Sequence, residues 1–241
     1  MGQIVLAYHG CDITIRDGLV RRVIEPKISN NPYDWLGKGL YFFEGDFLRA
    51  KKLAQNSHER NLQLLTRQPI GTPAVVGAIL DIDRWFDLTT QTGIFDFTRA
   101  ASALVAGSAG GEMPRNKQAF PDDEDFIHRA FDRAACEMVH KYRELTHQKA
   151  LEERDSAAIV ASAPYQASRG AYEQGVQIAD GSSVRSDTHI QIAVHDLSCI
   201  RGWFLVPGDK LLDPQEWSVA AKAMANAKAE RTAAKPRKAS R

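Results

Sequence analysis

Apolar runs predict buried strands in the first third of the chain. Residues 4–8 are almost entirely apolar and end at His9. Residues 74–80 form a longer apolar run, bounded by Pro73 and Asp81. Short continuous runs of this kind, flanked by turn-forming or charged residues, are typical of strands buried on both faces.

A second pair of strands is predicted near the C-terminal end. Residues 189–194 alternate between polar and apolar side chains, and residues 200–206 are mostly apolar. Residues 196–198 lie between them and have the composition of a turn. The pattern therefore predicts an antiparallel pair joined by this turn.

Helical spacing dominates the middle of the chain. Apolar side chains recur every three or four residues after Asp46, a residue type that favours the N-cap, and at steps of four across 125–151. Shorter helices are expected through 19–23, capped by Asp12 or Thr14, and across 99–105. Strands at both ends of a helical middle favour the α+β class.

Turn-forming residues predict loops between these elements. Residues 26–35 contain proline, serine, asparagine and aspartate and form a loop before a glycine-rich step at 37–39. Residues 107–111 are rich in glycine, and 114–122 are punctuated by proline, so a mobile loop is expected there.

Composition limits the class of protein. The chain has 241 residues, of which 44% are hydrophobic and 25% charged, which is ordinary for one globular domain. The apolar runs are too short to span a membrane, and residues 1–7 lack the features of a signal peptide, so a cytoplasmic protein without a membrane partner is expected. Three widely spaced cysteines favour reduced thiols over a disulfide framework.

Charge is unevenly distributed. Seven basic residues and one acidic residue lie in 221–241, so this end has a net charge of +6. The rest of the chain has a net charge of −5, and together they give the net charge of +1. We expect a domain over 1–215 followed by a basic, Ala-rich helix and disordered tail over 216–241. The tail favours solubility or contact with an acidic partner such as nucleic acid.

Two short motifs carry the chemical interest. His9 and Gly10 follow the first strand, and Tyr41 enters the next strand directly after Lys38 and Gly39. A histidine at a strand end and a tyrosine after a flexible glycine step can form two walls of a nucleotide crevice.

The segment from residue 36 to residue 42 resembles a motif of the PARP-like ADP-ribosyltransferases, the His-Tyr-Glu type that also includes diphtheria toxin. His9 and Gly10 match the first motif of that family. The resemblance covers residues 3–55 and 165–206. It implies an α+β ADP-ribosyltransferase fold, in which two small antiparallel sheets with flanking helices form a crevice for NAD.

The same resemblance implies roles for individual residues. His9 would hydrogen-bond the ribose of the adenosine half of NAD, and the Gly10 backbone would pair with the nicotinamide amide. Tyr41 would stack on nicotinamide after the turn at Gly39, and Lys38 would either neutralise the pyrophosphate or remain exposed. NAD would be a substrate rather than a resident cofactor, and no metal is expected.

The third motif departs from the family. A glutamate is expected five residues before an aspartate, and counting back from Asp196 gives Gln191. Three interpretations are open: Gln191 suffices for slow transfer of single ADP-ribose units, Glu173 supplies the acid from the preceding loop, or the site binds NAD without turnover. His189 lies two residues before Gln191, on the same strand face.

Residues 164–188 resemble in position the loop that selects the acceptor in this family. Arg169 and Arg185 in this loop are candidates for reading a phosphate or carboxylate. Cys136 and His140 have the spacing of metal ligands on a helix, but a core cysteine and a surface histidine explain them better. Motifs of serine hydrolases and of phosphate-binding P-loops do not occur.

The resemblance therefore implies a mono-ADP-ribosyltransferase that moves ADP-ribose from NAD to a protein or nucleic-acid acceptor. A role as a bacterial toxin or defence effector, restrained by an antitoxin or regulatory partner, follows from family analogy. The alternative is a catalytically silent module that binds NAD or ADP-ribose. A tRNA 2′-phosphotransferase shares the fold, but Tyr41 and Gln191 argue against it.

Overall fold

The structure of the protein is a computed structural model. It describes residues 2–63, 66, 68–108, 112–118 and 126–234. Within these residues the chain is α+β, as the sequence predicts, with a mixed seven-stranded sheet, a two-stranded sheet and six α-helices. None of the described helices is both long enough and apolar enough to cross a membrane.

The strands and helices occur along the chain in the following order: β1 (Gln3–Asp12), α1 (Ile13–Val20), β2 (Leu40–Glu44), α2 (Phe47–Glu59), β3 (Pro73–Ile82), β4 (Trp85–Asp87), α3 (Gln91–Gly107), β5 (Asn116–Lys117), β6 (His128–Arg129), α4 (Ala130–Glu153), α5 (Ser156–Ser162), β7 (Ala167–Tyr172), β8 (His189–Val194), β9 (Ile200–Leu205) and α6 (Pro214–Ala233). Two single-turn 3-10 helices lie at Asn61–Gln63 and Leu197–Cys199. The strand order in the large sheet is β4-β7-β8-β2-β1-β3-β9, and β5 pairs with β6.

The chain divides into two compact units. Unit 1 consists of residues 1–4, 27–41 and 81–199. Unit 2 consists of residues 5–26, 42–80 and 200–241.

Unit 2 contains antiparallel pairs of β1 with β2 and of β3 with β9. Its first helix begins where the sequence predicts, because one oxygen of the Asp12 carboxylate accepts from Thr14 N–H and so forms an N-cap. The second oxygen accepts from the N–H groups of Gly71 and Thr72. Asp46 likewise caps α2, where its carboxylate accepts from Arg49 N–H.

Helix α6 is part of the packing of unit 2. Asp213 and Glu216 form a capping box at its first turn. Met224 and Ala227 are buried, and the helix packs against α1 and the 3-10 helix at Asn61–Gln63. Residues 235–241, which belong to the tail expected from the sequence, lie outside the described residues.

Unit 1 contains β4, β7 and β8, with helices α3, α4 and α5. β4 pairs in parallel with β7, and β7 pairs antiparallel with β8. Helix α4 packs against both α3 and α5. A core of Phe86, Ala100, Cys136 and Val139 joins β4 to α3 and α4.

Two expectations about the sheets are wrong. Residues 189–194 and 200–206 do not form an antiparallel pair with each other, because β8 pairs with β7 and β9 pairs with β3. The expected two small antiparallel sheets are also not observed: β4 runs parallel to β7, which makes the seven-stranded sheet mixed, and the second sheet is a two-stranded ribbon.

Helix boundaries differ from the predicted ones where local signals are weak. α3 starts at Gln91, eight residues before the predicted 99, because Thr90 caps it through Gly93 N–H. The region expected to be a loop contains β5, while residues 109–111 and 119–125 lie outside the described residues. Within the expected acceptor loop at 164–188, residues 167–172 form β7 instead.

Candidate functional site

Residue Gln191 lies in the middle of β8, and its surroundings are set by the pairing of β8 with β7. Gly170 is its direct partner across the strands, and Tyr172 is the partner of His189. Partners in an antiparallel pair, and residues two apart on one strand, point to the same face of the sheet. These four residues therefore share one face.

Gly170 makes room on this face for the indole of Trp35. A Cβ at position 170 would lie 2.5 Å from the Cη2 atom of Trp35. The indole lies against the glycine and donates from Nε1 to Oε1 of Gln191 over 2.7 Å. Because Gly170 has no side chain, Trp35 can reach Gln191, which lies 156 positions further along the chain.

His189 holds the other end of the Gln191 amide. Its Nε2 atom is 2.9 Å from Nε2 of Gln191, and its Nδ1 atom is 2.5 Å from the carbonyl oxygen of Asp187. A carbonyl oxygen only accepts, so the imidazole carries its proton on Nδ1 and accepts from the amide at Nε2. Gln191 is therefore fixed in one orientation between Trp35 and His189, and the site is uncharged at this position.

Aromatic rings enclose this pair of contacts. Tyr172 stacks on His189 with ring centroids 5.4 Å apart and meets Trp35 edge to face at 5.7 Å. The guanidinium of Arg129 lies 3.7 Å from the centre of the Tyr172 ring and 5.2 Å from that of Trp35. We call Trp35, Tyr172, His189, Gln191 and Arg129 the Trp35 cluster.

The loop that carries Trp35 is fixed by its own polar side chains. The buried carboxylate of Asp34 accepts from the hydroxyl of Ser29 and from the backbone N–H of Asn31. Burial raises the pKa of Asp34, although these hydrogen bonds oppose the shift. Arg133 of α4 donates to the carbonyl of Asn31, so the loop is held from a helix as well as from within.

We call the glycine step at residues 37–39 the hinge, because the backbone there has an unusual conformation. Gly37 has a φ of +89°, which side chains rarely adopt. A Cβ on Gly39 would lie 3.0 Å from that of Ala193, so this position also favours glycine. Backbone hydrogen bonds between Ser29 and Gly39 close the loop at its base.

Tyr41 follows this hinge and packs against the cluster formed by Trp35 and Leu36. Its hydroxyl accepts from Leu36 N–H over 3.0 Å and donates to the Gly37 carbonyl over 2.8 Å. Burial, with a smaller effect of the Asp34 charge, raises the pKa of Tyr41 well above its ordinary value. Tyr41 is therefore neutral, and its ring packs against the hydrophobic residues that include Trp35 and Tyr172.

Other residues singled out in the sequence lie in different settings. Lys38 has an exposed side chain, and its carbonyl oxygen is 2.6 Å from Nδ1 of His195. Glu173 is exposed just after β7, and its carbonyl accepts from Arg129.

His9 and Gly10 belong to unit 2. The half-buried ring of His9 meets Phe42 edge to face at 5.9 Å. Gly10 is buried, and a Cβ there would lie 2.2 Å from the carbonyl oxygen of Ala50. Close packing of β1 against α2 thus accounts for glycine at position 10.

Two arginines proposed as acceptor readers are engaged inside the protein. Arg169 donates from Nε and from Nη2 to the Asp87 carboxylate and lies 4.7 Å from the centre of the Trp85 ring. Burial alone would raise the pKa of Asp87, but hydrogen bonds from Arg169 and Thr89 lower it. The interpretation of Arg169 as a reader of phosphate is therefore not supported by its contacts.

Arg185 has a similar internal role. It donates to the carbonyl oxygen of Gly175 over 2.6 Å, within the segment that joins β7 to β8. The contact crosses that segment next to the bridge between Gln177 and Arg185. Its guanidinium therefore helps to shape this segment.

The cysteine side chains are buried thiols. Cys11, Cys136 and Cys199 are free and buried, as expected for reduced thiols. Burial raises the pKa of both Cys11 and Cys136 far above the usual range of a thiol. Among the described residues, no group of three or more potential ligands is arranged to hold a metal ion.

Sequence reasoning missed Trp35, Tyr172 and Arg129. Trp35 stands in a loop rich in turn formers, where a large aromatic residue is unusual and is the one available signal. The stacking of Tyr172 on His189 depends on the pairing of β7 with β8. Arg129 lies on β6 of the two-stranded sheet and contacts the Tyr172 ring from there, which no local pattern shows.

Comparison of the chain with protein-family models, with curated proteins and with solved structures found no match.

Proposed function

We propose that the protein is an NAD-dependent mono-ADP-ribosyltransferase that moves one ADP-ribose unit to a protein or nucleic-acid acceptor. The observation that carries the proposal is the amide of Gln191, held between Trp35 and His189 at the position of the third family motif. Tyr41, the residue of the second motif, packs against the hydrophobic residues that include Trp35 and Tyr172.

The proposed reaction makes modest demands on this site. The bond between C1′ of the nicotinamide ribose and the nicotinamide nitrogen breaks, and its electron pair neutralises the pyridinium charge. The acceptor atom then bonds to C1′ and loses a proton. Positive charge develops on the ribose meanwhile, so catalysis rests on holding the ribose and on placing negative dipoles beside it.

Gln191 can supply such a dipole. A primary amide has two acceptor lone pairs and two N–H groups, and the contacts with Trp35 and His189 use one of each. The second lone pair of Oε1 would accept from a ribose hydroxyl. Because Trp35 and His189 already fix the amide, no reorganisation is needed when the substrate binds.

The amide also limits the rate. A full negative charge about 4 Å from the developing cation would be worth about 4 kcal/mol at an effective dielectric constant near 20. A neutral amide forgoes most of that energy, which corresponds to a rate of about a thousandth. We therefore propose slow transfer of single units.

One observation favours a second function, a module that binds NAD or ADP-ribose without turnover. The neutral, fully oriented Gln191 amide is suited to holding a hydroxyl group but supplies no charge. Glu173, the alternative acid, is exposed just after β7, and its backbone carbonyl accepts from Arg129.

Incubation with labelled NAD and a cell lysate tests the proposal. The readouts are nicotinamide release and transfer of label to macromolecules, for the unchanged protein, for Tyr41→Ala and for Tyr142→Ala, an exposed tyrosine on α4. The proposal predicts that both signals are lost in Tyr41→Ala and kept in Tyr142→Ala. NAD binding without nicotinamide release would favour the silent module, and absence of both binding and release would contradict the two functions together.

A further inference from the structure

A linear hydrogen-bond network in unit 1 runs through the side chain of Gln191. Trp35 donates from Nε1 to Oε1 of Gln191 over 2.7 Å. The Nε2 atom of Gln191 is 2.9 Å from Nε2 of His189, whose Nδ1 atom is 2.5 Å from the carbonyl oxygen of Asp187. We call Trp35, Gln191, His189 and the Asp187 carbonyl the Gln191 network.

The two ends of the Gln191 network fix the direction of every hydrogen bond in it. An indole N–H can only donate and a carbonyl oxygen can only accept, so neither Trp35 nor Asp187 can reverse its role. The Gln191 oxygen therefore faces Trp35, and its amide nitrogen faces His189. The imidazole must carry its proton on Nδ1 and keep a lone pair on Nε2. Only this uncharged tautomer satisfies both of these contacts of the ring.

A proton on Nε2 of His189 breaks the network in every arrangement of the amide. A charged imidazole has two N–H groups and no lone pair, so it cannot accept from Gln191. If the amide keeps its orientation, two donors meet at 2.9 Å. If the amide turns round, its N–H groups meet the indole N–H of Trp35. If the Gln191 oxygen accepts from both rings, both of its lone pairs are used.

Charged groups approach His189 from two directions. The ring of Tyr172, on β7, stacks on His189 and carries the guanidinium of Arg129, on β6, 3.7 Å from its centre. The segment that joins β7 to β8 contains four charged residues, Glu173, Asp180, Arg185 and Asp187. The cations disfavour a proton on His189 and the carboxylates favour one. These charges affect how easily the proton binds, whereas the break in the network follows from donors and acceptors alone.

We propose that His189 is a positioning residue that holds Gln191 in its ligand-binding orientation while the imidazole is uncharged and releases it when the imidazole gains a proton. The inference rests on the proposed function for the identity of the ligand, a ribose hydroxyl of NAD. With His189 uncharged, one lone pair of Oε1 remains for that hydroxyl, and the Gln191 side chain is half-buried rather than enclosed. With His189 charged, the amide oxygen is drawn to the imidazole, so affinity for NAD should fall.

The side-chain amide signals of Gln191, measured by proton–nitrogen NMR without NAD, report the network directly. They are assigned by their loss in Gln191→Leu. His189→Asn can still donate to the Asp187 carbonyl but is too short to accept from Gln191, so the bonded amide proton should shift upfield. His189→Gln is the matched control, because its oxygen reaches the position of Nε2 and accepts, and most of the shift should be absent. The indole signals of Trp203 and Trp217, in unit 2, should stay in place and so verify the fold.

A second arm follows the same amide signals of the unchanged protein as the pH falls from about 8 to about 4.5, a range that spans the ordinary titration of imidazole. We expect the bonded proton to shift upfield in the unchanged protein and to stay in place in His189→Gln, which has no imidazole at this position. Signals of His189→Asn that match those of the unchanged protein would overturn the proposal. So would signals that do not move with pH, or that move equally in His189→Gln.

A third arm measures NAD affinity by calorimetry at about pH 7.5, where an ordinary imidazole is mostly uncharged. His189→Asn should bind about tenfold more weakly than the unchanged protein, and His189→Gln within about twofold of it. Equal affinity in the Asn variant, with its amide signal shifted, would overturn the positioning role. No NAD binding by the unchanged protein would contradict the proposed function instead, and the two NMR arms would still decide whether His189 holds Gln191.

Discussion

The hydroxyl of Tyr41 makes two hydrogen bonds to the backbone of the preceding loop. It accepts from Leu36 N–H and donates to the carbonyl oxygen of Gly37, which are both part of the loop that carries Trp35. The proposed contact with nicotinamide involves the face of the ring and not the hydroxyl. The hydroxyl, however, has a structural task that can be measured separately from any activity.

Replacing Tyr41 by phenylalanine tests that task. The change leaves Leu36 N–H without its partner, and an unsatisfied buried donor costs about 1–3 kcal/mol. We expect the free energy of unfolding in urea to fall by that amount.

The control for this change is Tyr142→Phe, because Tyr142 is 53% exposed on α4. Its unfolding free energy should stay within about 0.5 kcal/mol of the unchanged protein. Equal stability of the two variants would contradict the structural task assigned to the Tyr41 hydroxyl.

Individual site residues were predictable only where a short motif marks them. Tyr41 and Gln191 were reached through a motif and a spacing, and His189 through its position two residues from Gln191. Trp35 was missed, since its contact with Gln191 spans 156 residues and depends on the absence of a side chain at Gly170.

At the scale of elements, Gly10 lies where β1 packs against α2. The carbonyl oxygen of Ala50 approaches so closely that a Cβ at position 10 would lie 2.2 Å from it. Gly202, on β9, is also a strand glycine in unit 2, but a Cβ there would meet nothing within 4 Å. The two positions form a matched pair for mutation.

Gly10→Ala should lower the free energy of unfolding by about 1–3 kcal/mol, because the helix and strand must move apart to admit the methyl group. Gly202→Ala should leave stability unchanged or slightly raise it, since alanine restricts the unfolded chain. Thermal unfolding of both variants measures the difference. Comparable melting temperatures would show that packing does not explain glycine at position 10.

Elements defined by local signals were predicted well, and pairing between distant elements was not. The N-caps Asp12 and Asp46 lie next to the helices they cap, so the sequence shows them directly. β8 and β9 are close in sequence but pair with β7 and β3, because a 3-10 helix at Leu197–Cys199 replaces the expected hairpin turn.

At the scale of the whole molecule, both units are assembled from separated stretches of chain. The C-terminal stretch contributes β9 and α6 to unit 2. Arg231 on α6 is buried and donates to the carbonyl oxygens of Asn61 and Thr66. The basic end of the chain is therefore structural at least as far as this residue.

Arg231→Ala should destabilise the protein by about 1.5–3 kcal/mol, because it removes charged hydrogen bonds to two carbonyl oxygens. Lys228→Ala, one turn earlier and exposed, removes the same charge without a buried contact. We expect its effect to be within about 0.5 kcal/mol. Denaturant titration compares the two, and an equal loss would mean that charge rather than docking of α6 governs stability.

The fold class was predictable because it depends on which elements occur, and these are marked by hydrophobic periodicity. The mixed character of the sheet was not, since it arises from β4, a strand of three residues that runs parallel to β7. The division into two units was not predicted either, because residues from three separate stretches of chain form each unit.

The rate of nicotinamide release from NAD by Gln191→Leu tests the central claim most directly. Leucine has a similar size but lacks the amide that Trp35 and His189 hold, so release should fall at least about tenfold. Gln215→Leu, at an exposed glutamine on α6, should retain the full rate. Circular dichroism of both variants confirms that they are folded. Release by Gln191→Leu at the rate of the unchanged protein would contradict the role proposed for Gln191.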